Sequence, residues 1–249
     1  YRRVQVEGVE LLAEPVLNGE QQAAFDGLNA LAAGNKAAAA LLYGVTGSGK
    51  TQVYLKLIYE TLRRGRTALV LVPEISLTPQ LMRLFSSHFG EQIAVLHSSL
   101  RAGERYDEWK RIKAGEARVV IGTRSAVFAP LKGLGLIVLD EEQEGTYQSE
   151  NVPKYHARDV AKFRCVQHKA LLLLASATPS IETMYQARQG AYQLFPLKQR
   201  YNQRPLPPVE IVDMKGELRS GNGTDLSGVL TRALEDTAAR GEQAILLLN

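Results

Sequence analysis

The chain has 249 residues, 45% hydrophobic and 22% charged, with 30 basic and 26 acidic side chains and a formal net charge of +4. That length suits one large or two modest globular domains with their own cores, and the charge is too mild to mark nucleic-acid binding without a local basic patch. The lone cysteine, Cys165, excludes an internal disulfide and a multi-cysteine zinc site; with no secretory leader and no apolar run near the roughly 20 residues of a membrane span, the expectation is a cytoplasmic protein with no membrane partner.

Short apolar runs at 37–44, 67–73, 92–98, 118–123, 134–140 and 170–178 read as strands buried on both faces. Between them, 51–65, 78–90, 102–115 and 156–167 carry apolar residues at helical spacing, several ending in glycine. Strand and helix in alternation predict an α/β fold with an open parallel sheet, whose ligand belongs at the carboxyl ends of the strands. Trp109 falls at the apolar spacing of 102–115 and is expected in the core, while the mixed charges of that stretch form a solvated face. The composition shifts near 198, where 198–225 is rich in proline, glycine and polar residues and reads as a linker. A strand-like run at 209–213, a helix-like run at 226–240 and the apolar stretch 243–249 follow. The His88, His97, His156 and His168 positions have no metal-ligand spacing.

The stretch "GVTGSGKT" at 44–51 joins a predicted strand to a predicted helix and fits G-x-x-x-x-G-K-[ST] at every position. In such a loop Gly44, Thr46, Gly47, Ser48 and Gly49 turn backbone N–H groups inward around phosphates, and the helix N-terminus adds partial positive charge. Lys50 then reaches the β- and γ-phosphates and Thr51 binds Mg²⁺. The apolar run 136–139 ends on Asp140, Glu141 and Glu142. Asp140 is the expected Mg²⁺ ligand through water, and Glu141 orients or deprotonates the attacking water. Crowded acids predict at least one carboxyl with a raised pKa. No N-K-x-D guanine reader and no L-S-G-G-Q signature is present. The loop alone therefore leaves open an ATPase, a nucleotide-binding module with a non-DNA partner, and a phosphotransferase.

Further motifs narrow the choice. "LVPEISLTPQ" (71–80), "IGTRSAVFAPL" (121–131), "LIVLDEEQ" (136–143) and "LASATPS" (174–180) are spaced like the motifs in the first lobe of a superfamily 2 helicase. Together with "GVTGSGKTQVYL", "KYHARDVA", "SATPSIET" and the tail "LPPVEIVDMKGEL", they resemble the PriA family of bacterial primosomal replication-restart helicases, over about residue 17 to 249. The resemblance implies a RecA-like P-loop NTPase lobe at 17–198, a mostly parallel sheet flanked by helices. It places a linker and the truncated start of a second RecA-like lobe at 199–249, and a linker from an upstream DNA-binding region at 1–16. It implies a 3′-to-5′ DNA helicase driven by ATP and Mg²⁺ that remodels stalled forks for primosome assembly. The implied partners are forked or single-stranded DNA, primosome proteins and single-strand-binding protein, with zinc only in a C-terminal part outside this chain.

By the same resemblance Gln21 reads adenine, although Asn18 and Gln21 also fit a capping box. Gln143, Ser176 and Thr178 couple nucleotide to DNA. Ser76, Thr78, Thr123 and Arg124 contact DNA, and in the loop 144–159 Tyr147 and Tyr155 stack on bases while Lys154 and Arg158 hold phosphate. Thr78–Pro79 and Thr178–Pro179 also read as helix N-cap and first position. Two positions depart from the family pattern: Gln143 stands where histidine is common, so this link cannot titrate, and Pro153 stands where a larger ring is expected. Hydrolysis in this class draws on an arginine from the second lobe, so this piece is expected to bind Mg-ATP weakly and scarcely to hydrolyse it.

Overall fold

The computed structural model of the protein describes residues 11–200 and 208–247. They divide into two compact units, Tyr1–Gln203 and Arg204–Asn249, and each is described by itself.

The first unit is a seven-stranded sheet in the order β3-β4-β2-β5-β6-β1-β7. Its strands are β1 (Ala38–Gly44), β2 (Thr67–Leu71), β3 (Ile93–Leu96), β4 (Val119–Gly122), β5 (Leu134–Asp140), β6 (Leu171–Ser176) and β7 (Gln193–Leu197). Every pairing is parallel. The side-chain period of two sorts each strand between two cores. Leu136, Val138, Leu171 and Leu173 enter one cluster with Phe25 and Leu28 of α1 (Gly19–Ala33), Leu57 and Ile58 of α2 (Lys50–Arg63), and Phe85 and Phe89 of α3 (Pro79–Phe89). Ile137, Leu139, Leu172 and Leu174 enter the other with Ile112 of α4 (Ala102–Ala114), Ala161 and Cys165 of α5 (Ala157–His168), and Ala187 of α6 (Ile181–Arg188). Both faces are covered, which is why these strands read as unbroken apolar runs.

β7 is absent from the sequence-based reading. Its residues are mostly exposed, and Pro196 interrupts the run. It pairs on one side only, with β1, and an edge position tolerates a residue that cannot donate to a ladder. Trp109 is 39% exposed rather than core, with the Lys113 ammonium 4.9 Å from its ring centre. Of the mixed charges on α4, Glu108 is buried and its two carboxylate oxygens accept from Arg111 Nη1, at 2.9 and 3.0 Å.

In the second unit α7 (Met214–Arg219) and α8 (Gly228–Ala239) are capped by Asp213 and Ser227. The Glu217 carboxylate accepts from Asn222 Nδ2 and the Gly228 N–H, both at 2.8 Å, which holds its pKa below the usual value. Helix α7 lies inside the stretch expected to be linker. The strand expected at 209–213 is irregular, as is 243–247; residues 248 and 249 of that apolar run lie outside the described residues. A strand is stabilised by a neighbour, and no described residue pairs with either segment.

Candidate active site

The turn from β1 into α2 needs backbone that only glycine adopts easily. Gly47 and Gly49 have φ of 79° and 80°, and Gly49 is the N-cap of α2. A Cβ on Gly49 would collide with Gln21 Nε2, and one on Gly44 with Ser48 Oγ. Lys50 Nζ donates to the Gly44 carbonyl at 2.9 Å, so the ammonium lies along its own loop. Gln21 supports the loop from beneath. Its Nε2 donates to the Ser48 carbonyl at 2.9 Å, and its Oε1 accepts from Asn18 N at 3.0 Å in the expected capping box.

Strand β5 ends on Asp140, with Glu141 and Glu142 directly after it, and each of the three acids turns a different way. Asp140 Oδ2 lies 3.0 Å from the Tyr54 hydroxyl of α2, which is also 3.3 Å from Thr51 Oγ1. Asp140 Oδ1 accepts from Glu141 N at 3.1 Å. Burial pushes the Asp140 carboxyl above its ordinary value, against the opposing pull of the Tyr54 hydrogen bond, and the neighbouring Glu141 adds to the rise. Burial and the Asp140 charge raise Tyr54 well above the usual phenol, so it is a donor at neutral pH. Glu141, at φ 46°, turns outward and accepts from Gln143 Nε2 at 2.9 Å. Glu142 turns inward: it accepts from Ser180 N at 2.7 Å, from Thr183 Oγ1 at 2.8 Å and from Arg158 Nη1 at 3.4 Å.

The loop and the acids share one cavity of about 600 Å³, lined by Thr46, Gly47, Gly49, Lys50, Thr51, Asp140 and Glu141, with Val16 and Gln52 at its wall. Gly44, Ser48 and Gln21 shape the loop without lining the cavity. The donors facing the space suit a magnesium nucleotide. Glycines in left-handed backbone leave room for phosphate oxygens, and a hydroxyl beside a carboxylate offers the hard oxygen ligands that Mg²⁺ takes. Among the described residues no group of three or more His, Cys, Asp or Glu is arranged to hold a metal.

The residues expected to couple nucleotide to DNA form a hydrogen-bonded chain. From Glu141 it runs through Gln143 to Ser176, whose Oγ donates to Gln143 Oε1 at 2.6 Å, and on to Thr178, whose backbone N–H donates to Ser176 Oγ at 2.9 Å. Thr178 takes part through its backbone and not its hydroxyl. Nor does it cap α6: Ser180 does, with Oγ 3.3 Å from Thr183 N, because Glu142 fixes Ser180 in place. Thr78 does cap α3, accepting from Leu81 N at 3.3 Å, with Pro79 at the first position.

Three residues expected on DNA are otherwise engaged. Tyr147 is completely buried, and its hydroxyl donates to the Asp140 carbonyl at 2.6 Å with the Leu71 carbonyl 3.0 Å away. It anchors the loop and has no face free for a base. Thr123 is buried at the end of β4. Arg158 is held by Glu142 and by Thr183 Oγ1 at 3.1 Å. The others reach the surface: Ser76 is half-buried, and Thr78 and Lys154 are exposed. Tyr155 packs edge-on against Phe128 at 5.0 Å, with the Arg124 guanidinium 5.9 Å from its ring centre. Arg124 also donates to the Thr146 carbonyl at 3.1 Å. Phe128, 55% exposed, was not singled out from the sequence; its signal was an aromatic residue within "RSAVFAPL".

Fold and cavity together define a RecA-like, P-loop nucleotide-binding domain. The model of the DEAD/DEAH box helicase family matches residues 20–187, and the chain belongs to that family, which in general uses ATP and Mg²⁺. Among curated proteins it is 49% identical over 237 residues to the replication restart protein PriA of Bacillus subtilis (strain 168), covering 95% of this chain and 29% of that protein. It is 48% identical over 214 residues to the PriA of a Synechocystis species, covering 84% and 26%. The resemblance read from the motifs agrees with these matches. The chain thus spans under a third of the length of these two relatives. Among solved structures it is similar to RecG bound to a three-way DNA junction, with a TM-score of 0.56, 24% identity and coverage of 78% and 24%. It is also similar to the Hef helicase domain of Pyrococcus furiosus, with a TM-score of 0.51, 16% identity and coverage of 89% and 53%. Both likenesses speak for the fold. No helix among the described residues is long and apolar enough to cross a membrane.

Proposed function

We propose that residues 17–198 are the ATP-binding lobe of a 3′-to-5′ DNA helicase of replication restart, and that 199–249 begin its second lobe. The observation behind this reading is the single cavity shared by Lys50, Thr51, Asp140 and Glu141. Loop N–H groups and Lys50 hold the phosphates, Lys50 exchanging the Gly44 carbonyl for them. Thr51 and Asp140 hold Mg²⁺, which supplies charge neutralisation at the phosphates. Glu141 orients water and takes its proton at a carboxylate oxygen. Gln143 links that carboxylate to Ser176 and the Thr178 backbone, so a shift of the 176–178 segment moves Glu141. Single-stranded DNA lies across Arg124, Phe128 and Tyr155, with Lys154, Ser76 and Thr78 on its backbone. Stalled forks, primosome proteins and single-strand-binding protein are the partners of the full-length protein, and its zinc lies outside this chain.

Lys50→Ala in the full-length protein is expected to abolish DNA-dependent ATP hydrolysis while DNA affinity stays near wild type. A matching loss of DNA affinity would count against separate sites. The resemblance puts an arginine needed for hydrolysis on a complete second lobe, an effect of about 10³–10⁵ in rate in related NTPases, or about 4–7 kcal/mol of barrier. The steady-state turnover of this chain alone is expected to be negligible with or without forked DNA, and robust DNA-stimulated turnover would refute this.

A further inference from the structure

Tyr54 belongs to neither the phosphate loop nor the acid cluster, yet it touches both residues assigned to the cation. It lies on α2 one turn beyond Thr51, so the two share a helix face. Its side chain is completely buried, and its ring stacks on Phe85 at 6.4 Å with 30° between planes. Packing of that kind needs only a ring. A phenol in the same place must satisfy a hydroxyl as well, and this one lies 3.0 Å from Asp140 Oδ2 and 3.3 Å from Thr51 Oγ1. The phenol has one proton. The carboxylate is the stronger acceptor and takes it. The phenol oxygen is then left to accept the Thr51 hydroxyl proton. That arrangement turns the Thr51 proton away from the cavity and leaves the lone pairs of its oxygen toward the space that Thr51 and Asp140 both line. A hydroxyl ligates a cation only in that orientation.

We propose that Tyr54 is a positioning residue for the divalent cation, aligning the Thr51 hydroxyl and the Asp140 carboxylate for the metal of a bound nucleotide. The inference rests on the nucleotide-site reading above. It predicts a defect in metal use that is separable from nucleotide binding, because Tyr54 is not among the residues lining the cavity.

The test is Tyr54→Phe, which keeps the ring and its stacking. Binding of a fluorescent ATP analogue is measured in EDTA and across a Mg²⁺ titration, and Mn²⁺ affinity of the nucleotide complex is read by electron paramagnetic resonance. Affinity in EDTA is expected to stay within about twofold of wild type, while the Mg²⁺ and Mn²⁺ half-points rise roughly tenfold or more, as for lost outer-sphere partners of metal ligands. Phe85→Leu is the packing control and is expected to leave those half-points unchanged. Wild-type metal half-points in Tyr54→Phe would overturn the proposal, as would an equal loss with and without metal, or a matching shift in Phe85→Leu. Wild-type protein with no metal-dependent nucleotide binding would overturn the site reading itself.

Discussion

Asp140 shows how a site residue stands against the stability of its own fold. Its carboxyl is raised by burial first, with Glu141 adding to the effect. A raised carboxyl pKa means that the folded chain disfavours the charge it carries at neutral pH. The neutral isostere removes that penalty and can still accept from Tyr54. Asp140→Asn is therefore expected to raise the melting temperature of the ligand-free chain at neutral pH while eliminating the Mg²⁺-dependent part of nucleotide affinity. A melt showing Asp140→Asn at or below wild type would contradict this account. The expectation of a raised carboxyl followed from three adjacent acids; that Asp140 is raised follows from its burial, which outweighs the Tyr54 hydrogen bond. The engagement of Tyr147 and Arg158 within the fold was hidden from the sequence for a related reason. A polar aromatic or basic side chain in a loop reads as available until the carbonyls or carboxylate that occupy it come from elsewhere in the chain, here from Leu71, Asp140 and Glu142.

Among the elements, Glu142 ties the end of β5 to two helices. It accepts the Ser180 N–H at the start of α6 and the Thr183 hydroxyl one turn on, and it pairs with Arg158 in the first turn of α5. Its side chain is fully buried and that of Arg158 is 19% exposed. Removing one partner of such a pair leaves the other charge without compensation, a loss of about 3–5 kcal/mol. Glu142→Ala is expected to fall in that range by urea denaturation. Glu141→Ala, which loses one half-exposed contact, is expected to stay within about 1 kcal/mol of wild type. Near-equal losses would mean that the acids are not divided between structure and chemistry. Glu142 was legible only as part of an acidic turn, because the serine and threonine it serves lie on the far side of β6.

For the first unit as a whole, acid is expected to act through histidine. His88, His97, His156 and His168 all have pKa values lowered chiefly by burial. His156 Nδ1 also accepts from Arg158 N at 3.1 Å as the cap of α5, which a proton on that nitrogen would abolish. The unfolded chain takes up these protons as pH falls through about 6.5, the ordinary histidine value, before the folded chain does. Stability is therefore full above that pH and declines below it. The urea midpoint is expected to be lower at about pH 5.5 than at about pH 7.5, and to remain so in Asp140→Asn, where the opposing carboxyl is gone. A flat profile would show that the four imidazoles titrate alike in both states.

The sequence by itself determined the parallel α/β class, the strands that build the middle of the sheet, and the pairing of a phosphate loop with the acids at a second strand end. These are matters of local period, glycine placement and short motifs, all written within a few turns of chain. Tertiary structure alone decided the seventh strand, the irregular backbone at 209–213, the partners of Asp140, Glu141 and Glu142, and the burial of Tyr147. Each depends on residues tens of positions apart meeting in space, and the spacing of residues along a chain does not encode which distant group will occupy a given donor or acceptor.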